Sequence, residues 1–220
     1  MPRQTFHNLP PDKRARFVDA ALDQFARLPY DQASITALIA SLGIAKGSFY
    51  QYFDDKFDLF TWLLSEAGAR KQQGSDQAMA QAGTDFFGGL RLGYAAGLRL
   101  WREDPRLAAV SLQLNQPSRE PRLQALRRQV HAHTSAWLAE QLARGQRDGQ
   151  VRTDLDLGVM TALVQATLSE GLLGALLARA GTDLDAVLQE PERLAAVGEA
   201  DLEQVIDQAL AYLRGAIGVR

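Results

Sequence analysis

Residues 34–53 read Ser-Ile-Thr-Ala-Leu-Ile-Ala-Ser-Leu-Gly-Ile-Ala-Lys-Gly-Ser-Phe-Tyr-Gln-Tyr-Phe. Ser34 is suited to start a short helix, because its hydroxyl can accept a backbone N–H of the next turn. Gly43 follows about two turns later and can adopt a positive φ without a steric penalty. A second short helix is expected from about Ala45 to Tyr52. The stretch therefore predicts two short helices joined by a tight turn, the helix-turn-helix arrangement.

Apolar residues in this stretch are expected to hold the two helices at a fixed angle. The inward positions are Ile35, Leu38, Leu42, Ile44, Phe49 and Phe53. A preceding helix, predicted from Pro11 to Leu28 by its helical apolar spacing, adds Phe17, Leu22 and Phe25 to the same core. The three helices are thus predicted to form one small domain.

The outward positions of the second helix are of a different kind. They are Lys46, Gly47, Ser48, Tyr50, Gln51 and Tyr52. A glutamine can pair with adenine through two hydrogen bonds, and serine, tyrosine and lysine can reach phosphates or base edges. Such a face can enter a DNA major groove. For Tyr52, packing against the core and contact with a phosphate are both open.

The turn after the second helix carries Asp54, expected to be the N-cap of the next helix, and Lys56 in its first turn. A lysine there faces the positive end of the helix dipole, which is locally unfavourable. A DNA phosphate docking at that helix start would explain the placement, because it would meet both the lysine and the free N–H groups.

Residues 43–60 resemble the recognition-helix signature of the TetR family of repressors. That signature has Gly, an aliphatic residue, Ser, Lys-Gly, Ser or Thr, an apolar residue, Tyr, any residue, Tyr or His followed by Phe, and later Lys and Leu-Phe. Here Ala45 replaces the usual Ser or Thr, so the recognition helix lacks a side-chain cap, and Ile39 stands where the family usually has Ala. The resemblance covers about residues 10–60. It implies DNA contacts from Ser34, Thr36, Lys46, Gly47, Ser48, Tyr50, Gln51, Tyr52 and Lys56.

Composition limits the remaining possibilities. The chain has 220 residues, of which 46% are hydrophobic and 23% charged, with a net charge of −2 and no cysteine. Disulfides and thiolate metal sites are therefore excluded. Through Phe60, seven cations balance seven carboxylates. Any DNA contact must depend on a few placed groups and not on a large basic field.

Two features bear on location. The most apolar stretch, from Leu155 to Ala180, contains Asp156, Gln165 and Glu170, which are costly in lipid. We expect a buried helix there and no membrane contact. No secretory leader is visible at the start of the chain, and a cytoplasmic location is expected.

The layout is predicted to be all-α, with an N-terminal three-helix head (residues 1–60) followed by a larger helical body (residues 61–220). A connector helix is expected from Asp55 to Gln73, with a break or hinge at residues 74–76. Further helices are expected at residues 84–102, 105–114, 121–147, 156–179 and 200–217. Residues 182–198 are expected to be a loop with short helical pieces.

The family resemblance implies that the body binds a small molecule, and aromatic residues with a few polar groups suit a mainly apolar ligand. The candidates are Phe87, Tyr94, Leu98 and Trp101 on one helix and His133 and Trp137 on another. For any one of these residues, a place in the ordinary core is the simpler interpretation.

The same resemblance implies a homodimer. The candidate interface residues are Leu168, Leu172, Ala175, Leu176, Ile206, Leu210 and Leu213, which would form a four-helix contact between two copies. These stripes could also pack inside one monomer. A dimer is favoured because a helix-turn-helix reads a palindromic site as a symmetric pair.

The function expected from these patterns is transcription regulation: a repressor whose binding to double-stranded operator DNA is controlled by a small, mainly apolar effector. No cofactor or metal site is predicted, and the chain is not expected to be an enzyme. An all-helical enzyme and a helical interaction module, whose helix-turn-helix is only structural, are the alternatives. No common nucleotide-binding, hydrolase or metalloprotease motif occurs in the sequence.

Overall fold

The helices of the head follow from capping and turn residues. A computed structural model describes residues 1–83 and 85–219, without the side chains of residues 75, 76, 78, 79 and 100. Its first four helices are α1 (Gln4–His7), α2 (Pro11–Arg27), α3 (Ile35–Leu42) and α4 (Lys46–Tyr52). Pro11 occupies the first turn of α2, where a missing N–H costs nothing. The helix-turn-helix is therefore present as predicted.

Aromatic rings fill the core of the head. Phe49 and Phe53 are fully buried, and Phe6 is 1% exposed. The ring of Phe53 lies 5.0 Å from Phe6, 5.7 Å from Phe17 and 5.7 Å from Trp62, measured between centroids. Edge-on and stacked ring contacts of this kind add to the free energy gained by burying apolar area. These rings fix the angle between α2 and α4.

The body consists of longer helices around a second core. They are α5 (Lys56–Ala82), α6 (Phe86–Glu103), α7 (Pro105–Gln113), α8 (Pro121–Arg147), α9 (Leu157–Ala166), α10 (Leu172–Arg179), α11 (Leu184–Gln189) and α12 (Glu199–Ile217). A single π-helical turn, Thr167–Gly171, joins α9 to α10. Within the described ranges, the only β pairing is an isolated bridge between Val151 and Gly218.

Two points of the predicted helix layout need correction. The short helix α1 was not predicted. The expected break at residues 74–76 is wrong, because α5 continues to Ala82. A Cβ atom on Gly74 would lie 3.0 Å from the Cβ of Ala96, so this glycine allows α5 and α6 to approach closely and does not end a helix. The next helix was expected to begin at Thr84, which lies outside the described residues; α6 begins at Phe86.

Helix α8 belongs to both cores. Its first turns contribute Leu123 to the core of the head, and its last turns contribute Leu138 and Leu142 to the core of the body. Between these anchors, every side chain from residue 127 to residue 134 is exposed. We call residues 127–134 the α8 arch. Leu123 and Leu138 are about 22 Å apart along the helix axis, so the arch is an unpacked stretch of α8 between two anchored ends.

Ion pairs and hydrogen bonds join head and body at several places. Arg106 of α7 reaches Asp19 and Asp23 of α2, each at 2.7 Å. Arg122 of α8 lies 2.7 Å from Asp55, the residue that caps α5. Because each contact links different helices, a shift of the body can be transmitted to the head.

One segment of the described chain, Leu157–Arg179, is long and apolar enough to cross a membrane by length and composition alone. In the structure 39% of its most apolar window is buried. The buried side chains include Met160, Val164, Leu168 and Leu172, which belong to the core of the body. One side of the segment therefore lies in the core as predicted, whereas the rest of it is not buried.

Candidate functional site

The turn before α4 is built from backbone hydrogen bonds around one glycine. Ser34 caps α3 by accepting the N–H of Ala37. Gly43 has φ 65° and ψ 30°, the left-handed conformation predicted for it. The Ile44 N–H then donates to the Ile39 carbonyl at 3.3 Å, which closes the end of α3. This geometry sets the direction in which α4 leaves.

Helix α4 has a buried side and an open side. Phe49 is fully buried, whereas Lys46, Gly47, Tyr50 and Gln51 are exposed. Lys46 with Tyr50, and Gly47 with Gln51, are four residues apart and therefore lie in two adjacent rows on the helix surface. The open side thus presents an ammonium, a phenol and a carboxamide beside a position without a side chain. This combination can hydrogen-bond to phosphates and base edges.

The other predicted DNA contacts differ in exposure. Ser34 and Thr36 are exposed, and Ser48, Tyr52 and Lys56 are half-buried. The ring of Tyr52 lies 6.0 Å from Phe6 and 5.8 Å from Phe17. Of the two roles considered for Tyr52, packing therefore describes its ring.

Sequence reasoning missed the N-terminal segment, which secures the end of α4. The Arg3 backbone N–H donates to the Tyr52 carbonyl at 2.9 Å, and the Arg3 guanidinium donates to the Tyr50 carbonyl at 2.8 Å. The Thr5 hydroxyl donates to the Gln51 carbonyl. The last carbonyls of a helix have no partner within it, so these bonds satisfy three in succession. The only sequence signal was the isolated apolar Phe6 beside these two donors.

Lys56 has partners inside the protein. Its ammonium donates to the carbonyl oxygens of Tyr30 at 2.8 Å and Ala33 at 3.0 Å, and it lies 4.4 Å from the centre of the Tyr30 ring. Burial lowers the pKa of Lys56, against the opposing effect of Asp31 and Glu120. The two carbonyls offset the unfavourable helix-dipole position without any phosphate. A third N–H of the ammonium stays available, so a phosphate contact remains a prediction.

The predicted N-cap next to Lys56 was off by one residue. Asp55, not Asp54, caps α5 by accepting the N–H of Asp58 at 2.9 Å. Asp54 instead accepts from Arg3 at 3.1 Å. The sequence offered two adjacent carboxylates, and only the backbone geometry distinguishes them.

In the body, five of the six predicted ligand residues lie in one hydrophobic core or pack against it. Phe87 and Leu98 lie in the core, and Tyr94, Trp101 and Trp137 pack partly buried against it. His133 is exposed on the α8 arch, away from this group. Two surface grooves of about 590 and 340 Å³ lie elsewhere, at the C-terminal end of α12 and between α2 and α5, and none of the six lines them.

Most of the predicted dimer residues are covered within one chain. Leu168, Leu172, Leu176, Ile206, Leu210 and Leu213 are 1–7% exposed and form the core of the body; Ala175 alone is exposed. A side chain buried in its own chain cannot contact a second copy, so for these six the prediction was wrong. Val159 and Leu163, one turn apart on α9, are instead 59% and 64% exposed.

Comparison with known proteins gave consistent results. Residues 17–61 match the family model described as bacterial regulatory proteins, tetR family. A TetR family transcriptional regulator from Chloroflexus aurantiacus J-10-FL is 30% identical, with 100% of both chains covered and a TM-score of 0.74. No curated protein sequence matched the chain.

Two further structures share the fold at lower identity. SmeT, the repressor of the Stenotrophomonas maltophilia multidrug efflux pump SmeDEF, is 19% identical, covers 94% of this chain and 90% of its own, and has a TM-score of 0.65. A SmeT–triclosan complex is 18% identical, covers 94% and 92%, and has a TM-score of 0.69.

Proposed function

This chain belongs to the TetR family of transcriptional regulators, and on that premise we propose that it is a repressor released from its operator by a small effector. Regulators of this family bind operator DNA, form dimers and bind small-molecule effectors. They are in general DNA-binding proteins without catalytic activity. We propose the same for this chain, with DNA binding in residues 1–60, effector binding and dimerisation in residues 61–220, and a cytoplasmic location.

The observation that carries the proposal is the open side of α4. Lys46, Gly47, Tyr50 and Gln51 are exposed on a helix whose Phe49 is fully buried. A Cβ atom on Gly47 would meet nothing within 4 Å, so packing does not require glycine there. A glycine on an open recognition surface lets the helix backbone approach a nucleic acid closely.

The proposed dimer uses the apolar side chains that one chain leaves exposed. Val159 and Leu163 form an apolar row on α9, and Tyr212 on α12 is 68% exposed. A second copy that covers the α9 row would remove it from water, and two helices from each subunit suffice for a symmetric contact. The double variant Val159→Asp/Leu163→Asp should be monomeric in sedimentation velocity with an unchanged helical spectrum. A dimer that persists would place the interface elsewhere.

Selection of genomic DNA fragments by the purified protein, followed by footprinting, tests the proposed function. We expect a symmetric footprint with half-sites about one helical turn of DNA apart, roughly 34–36 Å, or a small multiple of it. The double variant Lys46→Ala/Gln51→Ala is the control, because both side chains are exposed and their loss leaves the core intact. Absence of enrichment, or equal enrichment by the control, would contradict the proposal.

A further inference from the structure

On the α6 side of α5, one ammonium group has no counter-charge among the described residues. Lys71 lies on α5, and a Cβ atom on Gly97 of α6 would be 3.8 Å from its Cε atom. The end of the lysine side chain is therefore held against α6. Within the described part of the chain, no carboxylate or hydrogen-bond acceptor contacts this ammonium, although its neighbour Arg70 is paired with Asp104 at 3.1 Å.

The side chain of Lys71 is partly removed from water. Its side chain is exposed, yet desolvation lowers its pKa, and no other charged group contributes to that change. A side chain that reaches water but has protein on several sides is both exposed and partly desolvated. A cation that is partly removed from water and has no partner is unfavourable, and a bound anion would offset that cost.

A second donor lies beside it on α6. Tyr94 is three residues before Gly97 and therefore on the same side of the helix. Burial raises the pKa of the Tyr94 hydroxyl to about 12, so it stays protonated at neutral pH. Among the described residues, this hydroxyl has no hydrogen-bond partner. It can donate to an anion held by Lys71.

Apolar surface continues from the two donors. Trp101 follows Gly97 by one turn of α6, and it packs partly buried against the core of the body together with Trp137 of α8. A ligand that reaches Lys71 with a charged end can therefore place an apolar part on these rings. Pockets of this kind bind amphipathic molecules, with a few polar groups fixing the orientation.

We propose that the effector is a monoanion, with a carboxylate or sulfonate paired to Lys71 and Tyr94 and an apolar or aromatic part against Trp101 and Trp137. The proposal rests on the proposed function and narrows it, since the sequence alone indicated only a mainly apolar ligand.

Two fluorescent probes that differ only in charge test this proposal. They are 8-anilinonaphthalene-1-sulfonate, an anion, and N-phenyl-1-naphthylamine, which lacks the sulfonate. We expect the wild-type protein to bind the anion at one saturable site per chain and more tightly than the neutral probe. Lys71→Met should weaken anion binding about tenfold, the effect of removing one partly buried ion pair. Tyr94→Phe should weaken it less, about threefold. Both variants should bind the neutral probe within about twofold of the wild type.

Lys13→Met is the matched control, since Lys13 is an exposed lysine on α2 in the head. Equal losses for both probes in Lys71→Met would overturn the proposal, because the lysine would then act by packing alone. Equal anion affinity in wild type and Lys71→Met would also overturn it, as would a wild type that binds neither probe or prefers the neutral one. The titrations contain no DNA, so their failure is distinguishable from a failure to find an operator.

Discussion

In the head, Phe6, Phe49 and Phe53 are at most 1% exposed, whereas in the body no side chain of the α8 arch is buried over residues 127–134. The two regions also differ in their polar groups. The carbonyls at the end of α4 are held by Arg3 and Thr5, but Lys71 has no described partner. The core of the head is filled by its own side chains, whereas the α8 arch of the body is left unpacked.

This contrast fits the functions that we propose for the two regions. Reading base edges requires a helix held at a fixed angle, and the ring contacts of the head supply that. Binding a small molecule requires space and unpartnered donors, and the body has the unpacked α8 arch and the donors Lys71 and Tyr94. Regions with few buried contacts open at lower free-energy cost than packed cores. The α8 arch is therefore the part of the body that we expect to change conformation at the lowest cost.

The largest expected effect is on the stability of the packed aromatic core of the head. Phe53→Ala should lower the free energy of unfolding by about 3–5 kcal/mol, the cost of a cavity in a rigid aromatic core. Val130→Ala on the α8 arch, where the valine is 43% exposed, should change it by less than about 0.5 kcal/mol. Urea unfolding followed by circular dichroism measures both. Similar losses for the two variants would show that head and arch are equally packed.

The next effect concerns Lys56, which has both a structural role and a predicted DNA contact. Lys56→Ala removes two hydrogen bonds to carbonyls and should cost about 1–2 kcal/mol of stability. If its third N–H meets a phosphate, binding should weaken for all DNA sequences alike, and the salt slope should fall by roughly one. Lys46→Ala is the comparison, with the same expected change in slope and no loss of stability. An unchanged slope in Lys56→Ala would leave Lys56 a purely structural residue.

A third prediction concerns Gln51, whose side chain is exposed on α4. Gln51→Ala should lose discrimination at one base position by about 1–3 kcal/mol, if its carboxamide makes two hydrogen bonds to adenine. Binding to a library of operator variants measures this loss. Gln73→Ala, an exposed glutamine on α5, is the control. An unchanged preference in the library would mean that Gln51 does not read sequence.

The head could be predicted from the sequence because local rules fix it. The cap at Ser34, the left-handed Gly43 and the apolar spacing are all visible over a short stretch, and the structure has each of them. Helix α1 could not be predicted in this way. It has four residues, too few for periodicity, and it is held by contacts to α4 that are distant in sequence.

The body was harder to predict because one helix carries two apolar rows. Met160 and Val164 face the core, while Val159 and Leu163 face outward. Periodicity identifies both rows but does not say which one packs within the chain. The proposed effector site was also only partly visible in the sequence. Aromatic residues on α6 indicated it, but Lys71 depends on the packing of α5 against Gly97, which no sequence pattern encodes.

The smallest expected effect concerns how ligand binding in the body could be transmitted to the head. Arg122, in the first turn of α8, lies 2.7 Å from Asp55 at the start of α5, and its guanidinium lies 4.6 Å from the centre of the Phe57 ring. A ligand under the α8 arch that moves α8 would therefore pull on the helix that leaves the head. Packed helices shift between discrete arrangements, so a small movement can change the spacing of two heads on DNA.

We therefore expect Arg122→Gln to keep most of its operator affinity without ligand but to reduce the factor by which ligand weakens that affinity. The change in coupling should be about 0.5–2 kcal/mol. Linkage requires the same change in the opposite titration, in which operator weakens ligand binding. Measuring ligand affinity with and without operator therefore checks the result twice.

Arg119→Gln, in the loop just before α8, is the control. Equal coupling in Arg122→Gln and the wild type would mean that α8 does not carry the signal, and the contacts of Arg106 with α2 would then be the next path to test.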